Sequence, residues 1–319
     1  MIGPRAIEAI ESSDTDELLR VVDGYCVARS WDDLIDLRHR CGEAVGRGKQ
    51  VWGIEEHIRY RLALEAPALI AGPVVAEGQS RFALGPLPEV AASTKTWSEL
   101  EPHLPPGPER DTVAAERVVR GEVVDAVIPD LPSALMPWEP TYPVATYKKD
   151  RVEAPSPAPP PTKSVELPQD WGTIDDPDST GALGDLVEPW TDQSNGRSQT
   201  VAVEGDHLAA ISALGMSNAR AGGLDAGQGL AWMAWAAASG GAHGRRRGAA
   251  AGRYLAWWAL ASLADLDWPV EPGTLDEAIG GIAWHWFDDG SPDTGWVLRL
   301  VISSSGLGLS WAISATDMT

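Results

Sequence analysis

The chain of 319 residues carries 25 basic and 46 acidic side chains, which gives a formal net charge of -21, and 44% of its residues are hydrophobic. This length fits two domains, and the hydrophobic fraction excludes wholesale disorder because it is sufficient to form buried cores. The excess of negative charge argues against broad contact with duplex nucleic acid or with an anionic membrane.

The cysteines and the apolar segments indicate a cytoplasmic protein without metal. Cys26 and Cys41 form no CxxC pair and no Cys/His spacing that would bind zinc, so we expect two buried thiols. The N-terminal segment lacks the basic region and apolar run of a signal peptide. The most apolar stretches, Leu230–Ala238 and Leu255–Ala264, are shorter than the roughly 20 residues that a membrane helix needs.

Residues 1–140 are predicted to form an all-α domain, either a helical array or a bundle. The apolar residues Leu18, Val21, Val22, Tyr25 and Cys26 recur at helical spacing in the first helix. We expect a second helix after residue 30, a third over about 49–65, and further helices near 89–104 and 109–120.

Residues 141–197 are predicted to form a proline-rich, acidic linker. Ten prolines lie between residues 129 and 161, and the stretch PSPAPPPT is typical of a semi-rigid extended chain. The following segment, up to residue 197, is polar and acidic. We therefore expect no packed structure there.

Residues 198–319 are predicted to form an α+β domain that has a core of its own, because they contain nine of the fifteen tryptophans. Asp206 is a candidate N-cap of a short helix, and two buried helices are expected over 226–238 and 244–264. Alternating apolar residues predict three strands near the C-terminus, and TVAVEG is a further short strand candidate. The expected architecture is a small antiparallel sheet of three or four strands, covered by helices on one face.

An arginine cluster is the most unusual feature of this C-terminal region. Residues 201–319 hold six basic side chains, and four of these lie within nine positions: Arg245, Arg246, Arg247 and Arg253. They follow the small-residue turn GGAHG at the predicted start of a helix, where the helix dipole disfavours cations. An anion is therefore expected nearby. It is an internal carboxylate, the phosphate or carboxylate of a ligand, or an acidic protein partner. If a ligand supplies it, His243 joins the four arginines as a predicted ligand-binding residue.

The segments GAHGRRRGAAAGRYLAWW and TGWVLRLV, followed by GLSWAISATD, resemble the C-terminal region of an uncharacterised family of high-GC bacteria, a domain of unknown function. The resemblance covers about residues 226–317. It implies no catalytic residue and no cofactor.

Three other groups of residues are candidates for chemistry, and each has a simpler interpretation. In GIEEHIRYR, Glu55 and Arg59 are predicted to form an ion pair on a solvated helix face, and His57 lacks the second histidine of a zinc protease motif. The loop FDDGSPDTG lacks the spacing of a calcium loop and is predicted to be a hairpin turn. The tryptophans at 232, 235, 257, 258, 284 and 286 are expected in the core rather than in a stacking site.

Two functional hypotheses remain. The leading one is a non-enzymatic interaction or adaptor protein whose helical domain offers a surface to a protein partner. The alternative is an enzyme or sensor that binds an anionic small molecule at the arginine cluster. The first predicts an exposed apolar patch on the helical domain, and the second predicts arginines without internal carboxylate partners.

Overall fold

The computed structural model describes residues 2–78, 83–292 and 294–318. Its internal contacts divide the chain into two compact units. The first comprises residues 1–117 and 146–153, and the second comprises residues 118–145 and 154–319. The chain therefore leaves the first unit, returns to it for eight residues and leaves it again.

The first unit is helical, as predicted for the N-terminal part of the chain. Its helices are α1 (Pro4–Ser12), α2 (Thr15–Ala28), α3 (Trp31–Gly46), α4 (Trp52–Glu65), α5 (Ala68–Ala76), α6 (Leu87–Ala92), α7 (Trp97–Leu100) and α8 (Pro108–Val119), and the last of these ends just beyond the boundary of the unit. A two-stranded antiparallel hairpin of β1 (Thr146–Tyr147) and β2 (Val152–Glu153) completes it.

Helix α4 lies at the centre of this unit and packs against α2, α3, α5 and α6. This position explains why α4 is buried around most of its circumference, including Tyr60 and the charged residues Arg59 and Arg61. Helix α2 begins at an Asp14 N-cap, whose carboxylate accepts a hydrogen bond from the Glu17 N–H at 3.0 Å.

The second unit combines six helices and seven strands within its described residues. Its helices are α9 (Pro177–Asp185), α10 (Glu188–Asp192), α11 (His207–Ala213), α12 (Ala226–Ala238), α13 (Ala249–Leu263) and α14 (Pro272–Ile279). Its strands are β3 (Lys163–Val165), β4 (Gly172–Thr173), β5 (Arg197–Glu204), β6 (Ala219–Leu224), β7 (Ile282–Asp288), β8 (Trp296–Ser304) and β9 (Leu309–Asp317).

These strands form one antiparallel sheet in the order β3-β6-β7-β8-β9-β5-β4. Successive side chains point to opposite faces of a strand, so Trp286 and Phe287 belong to different layers. Phe287 packs with Ile211 of α11 on one face. On the other face the ring of Trp286 lies 4.3 Å from the ring of Trp232 of α12.

The predicted small sheet, covered by helices on one face, is therefore wrong in both respects. The sheet has seven strands, and helices cover both of its faces. The strands that the sequence indicated are present as β5, β7, β8 and β9. The strands that the sequence did not predict are β3, β4 and β6. They are short or contain paired glycines, so their composition gives little indication of a strand.

The segment predicted as a linker, residues 141–197, lies in ordered parts of the two units. Residues 146–153 form the hairpin of the first unit. Residues 163–192 contribute β3, β4, α9 and α10 to the second, where Leu183 and Trp190 are fully buried. Extended polyproline backbone is close to strand geometry, so a proline-rich segment can lead directly into the edge strand β3.

Within the described residues, no helix has both the length and the apolar character that crossing a membrane requires.

Candidate functional site

The arginine cluster lies mostly in a loop rather than in a helix. Helix α13 begins at Ala249, after an N-cap at Gly248 whose φ is 98°, so Arg245, Arg246 and Arg247 precede the helix and only Arg253 belongs to it. The expected helical start at residue 244 is therefore wrong. The positive φ of Gly248 turns the chain sharply before the helix begins.

Arg253 is paired with a buried carboxylate within its own unit. Its Nε lies 2.7 Å from Glu139 Oε2 and its Nη2 lies 2.8 Å from Glu139 Oε1, which makes a two-point ion pair. The side chain of Arg253 is 1% exposed and that of Glu139 is 0% exposed. Arg253 also donates hydrogen bonds to the carbonyl oxygens of Pro132 and Ala134.

Glu139 is in turn fully hydrogen-bonded. It accepts hydrogen bonds from Trp257 Nε1 at 2.9 Å, from the Tyr142 hydroxyl at 2.6 Å and from the Met136 N–H at 2.8 Å. Burial raises the pKa of Glu139, but the hydrogen bond and the charge of Arg253 outweigh burial and hold this pKa below its ordinary value. The ion pair is therefore charged, and Arg253 is not available to a ligand.

Arg247 interacts with the ends of two helices. Its Nε donates to the carbonyl oxygen of Ala237 at 2.8 Å, near the end of α12. Its Nη2 donates to the carbonyl oxygens of Asp185 at 2.7 Å and Leu186 at 3.1 Å, at the end of α9. A cation is favourable at both places because helix C-termini carry partial negative charge and unsatisfied carbonyl groups. Glu188, 3.3 Å from Nη1, adds an ion pair.

The remaining residues of the predicted site are nearer to solvent. His243 and Arg245 are exposed, and Arg246 is half-buried. The loop itself is fixed by neighbours, since Asp317 Oδ2 accepts a hydrogen bond from the Ala242 N–H at 2.6 Å and Gln193 Oε1 accepts one from the Arg245 N–H at 3.1 Å. Ligand binding by His243, Arg245 and Arg246 stays a prediction, whereas Arg247 and Arg253 have the internal partners that the ligand hypothesis required to be absent.

The ion pair predicted in GIEEHIRYR is not on a solvated face, because Arg59 is 6% exposed. Its guanidinium donates to the carbonyl oxygen of Gly78 at 2.8 Å and lies 3.4 Å from Glu77. Glu55 lies 3.9 Å from Arg38 of α3. The predicted pair is not on a solvated face because α4 lies at the centre of its unit and has little solvated surface.

The acidic loop connects β7 to β8 as predicted. The Asp288 carboxylate accepts a hydrogen bond from the Gly290 N–H at 2.8 Å, and the Asp289 carboxylate accepts one from the Ser291 N–H at 2.9 Å, which is typical of a tight polar turn. Asp293 lies outside the described residues. Across the residues that the structure describes, no three His, Cys, Asp or Glu side chains are close enough to hold a metal ion.

The tryptophans that the sequence placed in the core are buried at positions 232, 235, 257, 284 and 286, while Trp258 is half-buried. Several pack edge to face: Trp232 lies 5.5 Å from Trp235 with an interplanar angle of 88°, and Trp190 lies 5.8 Å from Trp235 with an angle of 80°. This geometry favours contact between the edge of one ring and the face of the next. The rings fill a core rather than line a stacking site.

The helical unit carries a shallow groove that the sequence did not single out. It is an open concavity of about 380 Å³ between α1, α2 and the start of α3. Its lining residues are mostly small or apolar: Gly3, Arg5, Ala6, Val21, Gly24, Tyr25, Ala28 and Ser30. A Cβ built on Gly24 would meet no atom within 4 Å, so the floor of the groove is open.

The groove exists because α2 is apolar on two sides. Leu18, Val22 and Cys26 point into the core and are at most 4% exposed. Val21 and Tyr25, which the sequence grouped with them, lie on the groove side and are half-buried. A surface helix needs an apolar face about 100° wide, and α2 exceeds this. Such a second apolar face could have been found from the sequence.

The rim of the groove combines charge with exposed apolar surface. Arg5 is 77% exposed and donates a hydrogen bond to Glu17 at 3.0 Å. Val27 lies three residues after Gly24, hence beside it on the surface of α2, and is 87% exposed. Exposed apolar surface on α2 thus lies beside the groove.

A family model described as a family of unknown function (DUF6183) matches residues 16–307. This range includes most of both units, so the restriction of the resemblance to residues 226–317 is wrong. No curated protein and no solved structure matches the chain.

Proposed function

The chain belongs to the DUF6183 family, a family of unknown function, and we propose that it is a non-enzymatic interaction protein whose helical unit binds a helix of a protein partner in the groove between α1 and α2. The observation that carries this proposal is the second apolar face of α2, formed by Val21, Gly24, Tyr25 and Ala28, which lines an open groove among the described residues of the unit.

The spacing of these residues favours a helix as the ligand. They lie at i, i+3, i+4 and i+7, the pattern with which one helix packs against another. Gly24 and Ala28 leave room for a close approach of the two helix axes, while Tyr25 and Val27 offer larger contact surfaces. The partner helix is expected to be amphipathic, with its apolar face toward the groove.

Photocrosslinking tests the proposal. A photoreactive amino acid at position 27 should capture the partner in cells of the source organism, and mass spectrometry then identifies it. The purified partner is next titrated against the wild-type protein and the Ala28→Arg variant by calorimetry. We expect Ala28→Arg to weaken binding at least about tenfold, because it places a charge on the apolar floor of the groove.

Gly46→Arg is the matched control. Gly46 is an exposed glycine at the end of α3, does not line the groove and has no atom within 4 Å of a built Cβ. The affinity of the Gly46→Arg variant for the partner should equal that of the wild-type protein. Equal binding by wild type and Ala28→Arg would contradict the proposal.

Three further expectations from the sequence remain proposals. A cytoplasmic location, the exclusion of duplex nucleic acid from the partners and an origin in high-GC bacteria rest on the sequence. The alternative function, binding of an anionic small molecule at the arginine cluster, is weakened because Arg247 and Arg253 already have internal partners.

A further inference from the structure

The hairpin of β1 and β2 is held on the helical unit by noncovalent contacts, since the chain on both sides of it belongs to the second unit. Its turn is closed by a hydrogen bond from the Lys148 N–H to the Arg151 carbonyl oxygen at 2.8 Å. A two-stranded hairpin is marginally stable by itself, so its place depends on how the helices receive it.

The first contact is a slot for the side chain of Tyr147. The Tyr147 hydroxyl donates a 2.6 Å hydrogen bond to Glu89, which lies on α6 and is 0% exposed. The ring of Tyr60 forms one wall, 6.3 Å away at an interplanar angle of 66°. The backbone of Gly85 forms another wall, and any side chain at that position would collide with the phenol.

The next two residues of the hairpin are also bound by polar groups. The Tyr60 hydroxyl donates a hydrogen bond to the carbonyl oxygen of Lys148. The ammonium group of Lys149 lies 3.2 Å from the Asp23 carboxylate on α2, which also binds Arg61. Three consecutive residues of the hairpin are thus bound by polar groups. A carboxylate binds the phenol of Tyr147, a phenol binds the backbone carbonyl of Lys148, and a carboxylate binds the ammonium group of Lys149.

We propose that this seat, formed by Glu89, Gly85, Tyr60 and Asp23, is a binding site for Tyr-x-Lys segments, and that the chain's own residues 147–149 occupy it. Buried polar contacts add less stability than apolar packing of the same size, but they discriminate strongly between ligands. A phenol aimed at a buried carboxylate disfavours phenylalanine, and Asp23, in a solvent-exposed pair with Lys149, disfavours an acidic residue two positions later.

The seat differs from the α1/α2 groove. None of its four residues lines the groove. The proposal therefore does not depend on the function proposed above, and the two can fail separately.

A peptide titration tests the seat. The full-length Tyr147→Ala/Lys149→Ala variant removes the two side chains that occupy it. A fluorescein-labelled peptide of residues 144–155, with the natural sequence, should bind this variant in a fluorescence anisotropy titration. The wild-type protein should bind it more weakly, because its own hairpin competes. Adding Ala28→Arg to the variant should leave the affinity unchanged.

Two altered peptides measure specificity. The same peptide with Tyr147→Phe should bind at least about tenfold more weakly, because the buried Glu89 loses a hydrogen bond. The peptide with Lys149→Glu should also bind more weakly. The proposal is overturned if the cooperatively folded variant binds no peptide, or if it binds the phenylalanine peptide as well as the natural one.

A second measurement covers the case in which the variant does not fold. Isotopically labelled natural peptide is added in excess to the wild-type protein, and hydrogen exchange is followed by mass spectrometry. Displacement predicts faster exchange over residues 146–153, and the phenylalanine peptide should have a smaller effect. Unchanged exchange at the highest peptide concentration counts against the proposal.

Discussion

Arg253 and Glu139, 114 residues apart in the sequence, form a two-point ion pair that is closed to solvent. Their pairing fastens the loop of residues 132–142 onto α13 within the second unit. It also supplies the negative charge beside Arg253 from inside the protein.

Removal of one partner of this pair should be strongly destabilising. We expect Arg253→Met to lower the free energy of unfolding by about 3–5 kcal/mol, because Glu139 is left buried without its countercharge. The double variant Arg253→Met/Glu139→Leu should lose less than the single variant, since no buried charge remains. Urea unfolding followed by circular dichroism measures both. A loss below about 1 kcal/mol for Arg253→Met would contradict the assigned role.

Arg247 should also prove structural, through the helix ends that it binds. Arg247→Ala removes its hydrogen bonds to the carbonyl oxygens of Ala237, Asp185 and Leu186, and we expect a loss of about 1–3 kcal/mol. Arg245→Ala is the control. Its side chain is exposed, so the change should stay within about 0.5 kcal/mol. Equal effects of the two substitutions would show that Arg247 does not stabilise these helix ends.

Gly252 is expected to set the distance between α12 and α13. A Cβ at this position would lie 2.3 Å from the Ala234 carbonyl oxygen, so Gly252→Ala should force the helices apart and cost about 1–3 kcal/mol. Gly181→Ala in α9 provides the opposite case, because no atom lies within 4 Å of a Cβ there. It should stabilise the protein by about 0.5–1 kcal/mol through helix propensity. Thermal unfolding of both variants tests the difference in sign.

The stability of the second unit should fall in mild acid because of a stacked histidine pair. The ring of His285 on β7 lies 3.7 Å from that of His207 on α11, with an interplanar angle of 3°. Burial and then the neighbouring His207 lower the pKa of His285 from its ordinary value of 6.5 to about 4, although Asp206 acts in the opposite direction. The unfolded chain therefore binds a proton at a higher pH than the folded protein does. The free energy of unfolding should decrease as the pH falls from about 6.5 toward 4.

Melting temperatures between pH 7.5 and 5 test this dependence. His285→Gln should flatten the decrease, while His243→Gln, at an exposed position, should retain it. If both variants follow the wild-type curve, the histidine pair is not the cause.

The periodicity of apolar residues determined most of the helices and the four long strands of the second unit. This periodicity did not predict the short strands, because β3 follows a proline run and β6 contains Gly222 and Gly223. Local composition also did not reveal the strands within residues 141–197, since polyproline and strand backbones lie in neighbouring parts of the same extended region. Their burial depends on partners distant in the sequence.

For the candidate sites, the sequence by itself determined that four arginines lie within nine residues of an acidic chain, because charge is a local property. Only the tertiary structure decided that Arg253 pairs with Glu139 and Arg247 with Glu188. The sequence likewise grouped Val21 and Tyr25 with Leu18, Val22 and Cys26 as one apolar set on α2. Which of them face the core, and which remain open to a partner, depends on where the neighbouring helices lie, and packing across long sequence separations fixes that.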